Sequence, residues 1–178
     1  LEGLYLTIEI SLIAWFFGLT IGILVGMLSE SPRKPLVAVS ACYVEVFRNI
    51  PLLVQLFFAY FVLPLLLPLH LRRYLYEIGW EWGSAVLTLS VYTSAKVTGH
   101  VRSGLNAVGH GLRQAGLSTG LTWWQMERSI VVPLLLRIIV PNITTEFVTV
   151  FKGSSLAMAV GVLETTYMTQ RIGFQSFR

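Results

Sequence analysis

The chain has 178 residues, of which 54% are hydrophobic and only 12% are charged, and its formal net charge is +4. Soluble domains carry roughly 25% charged residues, so this composition predicts an integral membrane protein. Basic excess on such a protein is read first as topology, and we therefore infer no nucleic-acid partner. The sequence has no Gly-Lys-Ser or Gly-Lys-Thr phosphate-binding loop, so a partner must hydrolyse any nucleotide that drives its function.

Four apolar stretches are long enough to cross a bilayer, which takes about 20 residues. They lie at about 4–28, 36–70, 84–106 and 130–151. In the first, Gly18, Gly22 and Gly26 recur every four residues, a pattern that lets helices approach closely in lipid. A short turn with Arg33 and Lys34 follows, and basic residues in short loops favour the cytoplasm.

The second stretch is too long for one straight span and contains a proline. Pro51 removes a backbone donor and crowds the preceding turn, so it predicts a kink or a break between two helices. Before it, Glu45 and Arg48 stand three residues apart, a spacing that permits an ion pair on one helical face. After it, residues 70–83 are amphipathic and rich in tyrosine and tryptophan. This composition suits the membrane-water interface on the outer side of the membrane.

The third span is the most polar and carries Lys96 among serines and threonines. A cation deep in a span costs at least about 2.5 kcal/mol on insertion scales, so such a residue usually faces a cavity or a counter-charge. Two interpretations stay open here. Lys96 lines a functional pathway, or it snorkels or pairs with a glutamate from another helix.

Residues 108–129 form a long polar segment between two apolar spans, with four glycines and several apolar anchors. Long loops in compact proteins tend to be functional or disordered, and the anchors argue against disorder. We therefore predict a docking element. Beyond the fourth span, the apolar run 156–163 is too short to cross alone, so residues 154–178 are expected to be re-entrant or to lie on the periplasmic side.

Four stretches resemble the permease subunits of bacterial ATP-binding-cassette importers, in the polar amino acid branch. They are GLYLT (3–7), YVEVFRNIPLLVQLFF (43–58), the polar segment with QAGLSTG (114–120), and FKGSSLAMAVGVLE (151–164). The third is similar to the family's EAA motif, although Gln114 replaces its Glu and Gly116 its second Ala, while Gly120 is kept. The second, with the prolines after it, looks most like glutamate/aspartate permeases.

This resemblance implies an all-α, MetI-like importer transmembrane domain spanning residues 1–178. About five core spans are expected, the last falling after residue 178, so that the chain would be a fragment that also lacks its first residues. The implied setting is the bacterial inner (plasma) membrane, crossed several times. The implied partners are a cytoplasmic ATPase, an extracytoplasmic solute-binding protein and a second permease, identical or homologous. The permease would bind no cofactor, since its partner uses ATP, and would perform no catalysis.

The resemblance and the residue types together name two candidate sites. Residues expected to dock on the ATPase are Gly111, Leu112, Arg113, Gln114, Ala115, Gly116, Gly120 and Leu121. Residues expected along the solute path are Thr93, Lys96, Glu146, Lys152, Ser154 and Ser155. The cations and hydroxyls would replace the water around an acidic amino acid.

Other functions remain as alternatives. The same architecture could import glutamine, a basic or neutral amino acid, or methionine. A channel or scaffold would not need a docking segment of this form. A membrane enzyme is disfavoured because the three histidines are widely spaced, and the sequence contains no HExxH metal motif and no suitable carboxylate pair.

Overall fold

The computed structural model describes residues 2–176, and within that range it describes side chains other than those of His110 and residues 172–176. Every regular element in this range is helical, as the sequence predicts. The α-helices are α1 (Glu2–Leu28), α2 (Lys34–Asn49), α3 (Leu52–Phe57), α4 (Leu69–Glu77), α5 (Trp80–Ser118), α6 (Trp123–Met126), α7 (Val132–Ser154) and α8 (Thr165–Ser176). Shorter π and 3-10 turns connect several of them at Phe58–Val62, Leu63–Leu66, Glu127–Val131 and Ser155–Val160.

Among the described residues, helices α1 and α5 share the most extensive interface between two helices. The predicted glycine stripe of α1 faces α5, where a Cβ built on Gly18, Gly22 or Gly26 would lie 2.9, 2.6 or 2.7 Å from the side chains of Thr93, Val97 and Val101 respectively. The hydroxyl of Thr98 on α5 donates to the backbone carbonyl of Gly22 across this interface, at 3.1 Å. Small residues thus let two backbones meet in an apolar setting.

The chain breaks at Pro51, as predicted. Helix α2 ends at Asn49, α3 begins at Leu52, and the axes of Lys34–Asn49 and Leu52–Leu66 differ by 101°. The amide of Gln55 closes the corner by donating to the carbonyls of Phe47 and Ile50, both at 2.8 Å. This apolar region is therefore two helices at a sharp angle.

The ion pair that the spacing of Glu45 and Arg48 permits does not form among the described side chains. Glu45 instead accepts from the amide of Asn49 at 2.8 Å. The guanidinium of Arg48 lies over Gly99 of α5, where the glycine leaves room for it: a Cβ there would be 2.7 Å from Nη1. Tertiary packing against α5 thus determines where Arg48 points.

Helix α5 is longer than the predicted span at 84–106. It starts at Trp80 and runs to Ser118, with a break at Gly109, whose φ of 66° and ψ of 153° are not helical. The polar segment 108–129, which the family resemblance implies to contain a short helix, does contain one at residues 110–118, followed by a turn and by α6. Gly109, one of the four glycines in this segment, is the residue at which the helix axis changes direction.

Two helical segments among the described residues are long and apolar enough to cross a membrane, Glu2–Leu28 and Trp123–Val160. The bent pair Lys34–Asn49 and Leu52–Leu66 would make a third if it counts as one span. Helix α5 is not among them because its central stretch carries many hydroxyl side chains. Among the described residues, it also holds more of the buried polar residues than any other helix. Its polar side chains face the other helices.

After α7, the chain forms the 3-10 turn Ser155–Val160, reverses at Gly161 and enters α8. Glu164, only 1% exposed, caps α8 with both carboxylate oxygens, which accept from the backbone N–H groups of Thr166 and Tyr167 at 2.9 and 3.1 Å. Thr7 of α1 contacts Thr165 at 2.9 Å. Two of the motif stretches, 3–7 and 151–164, therefore meet at the same end of the molecule.

Candidate solute cavity and coupling segment

A cavity of about 310 Å³ lies between α3, α5, α7 and the turn after α7. Its walls combine apolar side chains with polar side chains from α5, α7 and the turn after α7. The lining residues used below are Leu52, Tyr92, Thr93, Glu146, Lys152 and Ser155. A mostly apolar cavity with a few convergent polar groups is typical of a small-molecule site.

A charged cluster lies at this cavity. Lys96 Nζ is 3.1 Å from Glu146 Oε2, and the two side chains are only 22% and 12% exposed. His100 Nε2 lies 3.4 Å from the other carboxylate oxygen of Glu146, and the ammonium of Lys96 sits 4.9 Å from the ring centroid of Tyr92. Of the two interpretations of Lys96, the counter-charge on another helix is therefore present, and it stands at a cavity.

The other predicted path residues divide into two groups. Lys152 and Ser155 line the cavity, and Thr93 also does so, although it is only 2% exposed and its side chain packs against Gly18. Ser154 does not reach the cavity. It is fully buried, and its hydroxyl donates to the carbonyl of Phe151 at 2.8 Å.

Sequence reasoning missed two members of the cluster. Tyr92, Lys96 and His100 follow one another at intervals of four residues, so they share one face of α5. That spacing was available in the sequence. It gained meaning only once α7 brought Glu146 opposite Lys96, since no sequence rule pairs residues 50 positions apart.

At the far end of α5, the short helix 110–118 presents an exposed surface. Leu112 and Leu117 are 37% and 45% exposed, and Gly111, Gln114 and Ala115 are also exposed. Trp123 and Trp124 add two further aromatic side chains that are 61% and 67% exposed. The predicted docking residues on this helix are thus largely available to a partner.

Three predicted docking residues face inward instead. A Cβ on Gly116 would lie 2.9 Å from Met126 Cγ, so the glycine lets the short helix approach α6 closely. Leu121 packs against the buried cluster of Val108, Met126 and Val131. Arg113 is 21% exposed and pairs with Glu30 and Glu127 at 3.3 and 3.2 Å.

The turn after the short helix follows the predicted chemistry. Gly120 adopts a φ of 86°, in the left-handed region that favours glycine, and its N–H bonds to the carbonyl of Leu117 at 3.1 Å. Thr122 and Gln125 then form a reciprocal capping box that starts α6. Local interactions therefore end the short helix at Gly120 and start α6 at Thr122.

Comparisons over the whole chain agree with this fold. Residues 18–177 match the family model described as "Binding-protein-dependent transport system inner membrane component". The chain belongs to this family, whose members are the non-enzymatic membrane subunits of ABC transporters, with ATP hydrolysed by a separate subunit.

Among curated relatives, the glutamate/aspartate import permease GltJ of Escherichia coli K12 is 34% identical over 167 residues, covering 92% of this chain and 68% of the relative. The arginine transport permease ArtQ of Bacillus subtilis is 31% identical, with 91% and 70% covered. The glutamine permease GlnP of E. coli K12 is 30% identical, with 100% and 78% covered. The chain is therefore an amino acid ABC importer permease.

Solved structures show the same fold. A crystal structure of an amino acid ABC transporter with histidines matches with a TM-score of 0.81 and 27% identity, covering 99% of this chain and 78% of that one. An inward-facing form of the MetNI methionine ABC transporter matches with a TM-score of 0.73 at 22% identity, covering 97% and 79%. The all-α, MetI-like fold predicted from sequence is confirmed.

Proposed function

We propose that this permease translocates an acidic amino acid, glutamate or aspartate, and that Lys96, Glu146 and Lys152 carry its recognition. The observation behind the proposal is the charge of the cavity. Glu146 and Lys152 line the cavity with one negative and one positive charge. Lys96 adds a second positive charge beside it, 3.1 Å from Glu146, and His100 lies next to the other oxygen of Glu146. An acidic amino acid carries the complementary set of one ammonium and two carboxylates.

The arrangement assigns separate tasks to the two lysines. Glu146 neutralises Lys96 at 3.1 Å, so the pair as a whole carries no net charge. Such a pair suits the zwitterionic head group of any amino acid, with the α-carboxylate on Lys96 and the α-ammonium on Glu146. Lys152 then remains for the second carboxylate. The sequence suggested that Lys96 selects for an acidic side chain. Because Lys96 is paired with Glu146, Lys152 is the better candidate for that role.

The remaining features describe the transporter as an assembly. The exposed face of the short helix 110–118 docks on a cytoplasmic ATPase, whose closure moves α5 and α7 and opens the cavity alternately to the two sides of the membrane. The Arg33 turn lies at the same end as this helix, because Glu30 reaches Arg113. An extracytoplasmic binding protein delivers the solute to the opposite end. A second permease, identical or homologous, completes the multi-pass pathway in the inner membrane.

The test is uptake by the complete complex of permease, ATPase and binding protein in proteoliposomes, measured for glutamate, glutamine and arginine. We expect glutamate uptake by the wild-type protein. Lys152→Gln should lower glutamate uptake about tenfold or more, since a hydrogen bond to a charged group contributes about 1.5–3 kcal/mol. The same variant should leave glutamine uptake, if any, unchanged.

Lys96→Gln should lower the uptake of every amino acid that the complex carries, because the head group loses its partner. Lys34→Gln, at the first residue of α2, is the matched control and should change nothing. Wild-type uptake of glutamine or arginine in place of glutamate would refute the acidic substrate. Equal losses for all solutes in Lys152→Gln would refute its selective role.

A further inference from the structure

Arg113 occupies a position in the structure that its place in a docking motif does not explain. Its guanidinium turns away from the exposed face and lies between two carboxylates, with Nη1 3.3 Å from Glu30 Oε2 and Nε 3.2 Å from Glu127 Oε1. The contact with Glu30 is also a hydrogen bond, whereas the contact with Glu127 is an ion pair without hydrogen-bond alignment. One cation therefore bridges two anions.

The three residues belong to three different helical elements. Arg113 lies on the short helix 110–118, Glu30 on the turn that leaves α1, and Glu127 at the start of the π turn that leads into α7. The three side chains are only 17% to 31% exposed, so water screens them less than it would a surface pair. Ion pairs at full exposure contribute little, but a shared cation in a half-buried network keeps more of its attraction.

The backbone at Gly109 makes this bridge mechanically relevant. With φ of 66° and ψ of 153°, Gly109 interrupts α5, and a Cβ at this position would meet nothing within 4 Å. Before the break, α5 is held on α1 by the glycine contacts. After the break, the short helix reaches the end of α1 through Arg113, while Met126 packs on Gly116 from the other side.

We propose that Arg113 is a positioning residue that passes the movement of the short helix to α1 through Glu30 and to α7 through Glu127. The inference rests on the proposed docking of the short helix on an ATPase. An ATPase that moves this helix pulls on both long helices at once, because a single guanidinium is shared between them. Without the bridge, the helix would pivot at Gly109 and less of its motion would reach the helices that line the cavity.

The measurement is the number of amino acid molecules transported per ATP hydrolysed, in the complete reconstituted complex. Arg113→Gln removes the cation and leaves Glu30 and Glu127 facing each other. We expect this ratio to fall at least fivefold, while the variant still copurifies with the ATPase and still hydrolyses ATP. Arg33→Gln, a loss of the same charge on the turn that carries Glu30, is the matched control and should keep the wild-type ratio.

Inversion of all three charges, with Arg113→Glu, Glu30→Arg and Glu127→Arg together, should restore most of the ratio because the bridge re-forms with opposite sign. Should Arg113→Gln fail to assemble, Glu30→Gln, which disconnects α1 alone, should still lower the ratio. A wild-type ratio in Arg113→Gln or in Glu30→Gln would overturn the proposal, as would an inverted triple variant no better than Arg113→Gln. A wild-type complex without ATP-driven uptake would instead refute the proposed function.

Discussion

Helix α5 has two parts that differ in how they are held, although one backbone runs through both. Before Gly109, the helix lies against α1 with glycines at the contact, and several of its hydroxyl side chains are buried. After Gly109, the short helix is mostly exposed and is attached through the ion pairs of Arg113 and through the packing of Gly116 on Met126 and Ile130. The first part is therefore close-packed along its length, whereas the second part is exposed and attached at few points.

This difference is useful because packed interfaces and polar attachments respond differently to force. A close-packed apolar contact has low compressibility and transmits displacement as a rigid body. An exposed helix beyond a break can change direction at low cost. A transporter needs both properties, and here one residue with an unusual backbone conformation separates them. The substitutions below test each side of that boundary, and Gly111→Ala serves as a matched glycine substitution for the first.

The strongest effect is expected from Gly22→Ala in the rigid part. The new methyl group would lie 2.6 Å from Val97 and 2.8 Å from the backbone carbonyl of Ser94, and the backbone cannot yield as a flexible side chain does. Overpacking costs about 1–3 kcal/mol, and we expect the upper end of that range. The melting temperature of the purified permease in detergent should fall clearly.

Gly111→Ala makes the same chemical change on an exposed helical position where a Cβ meets nothing within 4 Å. It should leave the melting temperature unchanged or raise it slightly, since alanine favours a helix over glycine by about 0.5–1 kcal/mol. Equal melting temperatures for Gly22→Ala and the wild type would show that the α1–α5 interface is looser than its distances indicate.

The second effect concerns the boundary itself. Gly109→Ala places a side chain at φ 66° and ψ 153°, a region that only glycine occupies readily. The strain is about 1–3 kcal/mol, and the chain can relieve it by straightening α5 and reorienting the short helix. We expect weaker copurification with the ATPase and a small change in the melting temperature of the permease alone.

Copurification at the wild-type level would contradict this expectation. It would mean that the orientation of the short helix does not depend on the backbone conformation at Gly109.

The smallest effect is expected from Thr122→Ala, at the residue that caps the start of α6. Thr122 accepts from the backbone N–H of Gln125 at 3.3 Å and its own N–H donates to the Gln125 side chain at 2.9 Å. Loss of such a cap costs about 1 kcal/mol. The start of α6 should fray, which hydrogen exchange of residues 122–126 would report as faster exchange.

Thr144→Ala is the control, since Thr144 is exposed within α7 and bonds only to the carbonyl one turn earlier. It should leave exchange at 122–126 unchanged. If Thr122→Ala also leaves that exchange unchanged, the capping box does not stabilise the start of α6 in solution.

The sequence by itself determined the class of protein, the helical fold and several local features. Composition indicated a membrane protein, and four motif stretches indicated the permease family. The match of residues 18–177 to the family model confirms that family. The break at Pro51, the close contact of the glycine stripe and the left-handed turn at Gly120 followed from residues within a few positions. Local steric rules are strong enough to fix such features before the chain folds.

Only the tertiary structure decided which charges face one another. The spacing of Glu45 and Arg48 permitted an ion pair that did not form, while Lys96 found Glu146 and Arg113 found Glu30 and Glu127. A long flexible side chain reaches any of several partners. Which partner it meets depends on the helix that packs opposite. In this chain, helix packing placed Lys96 and Glu146 at the cavity, and it placed Arg113, Glu30 and Glu127 beside the short helix 110–118.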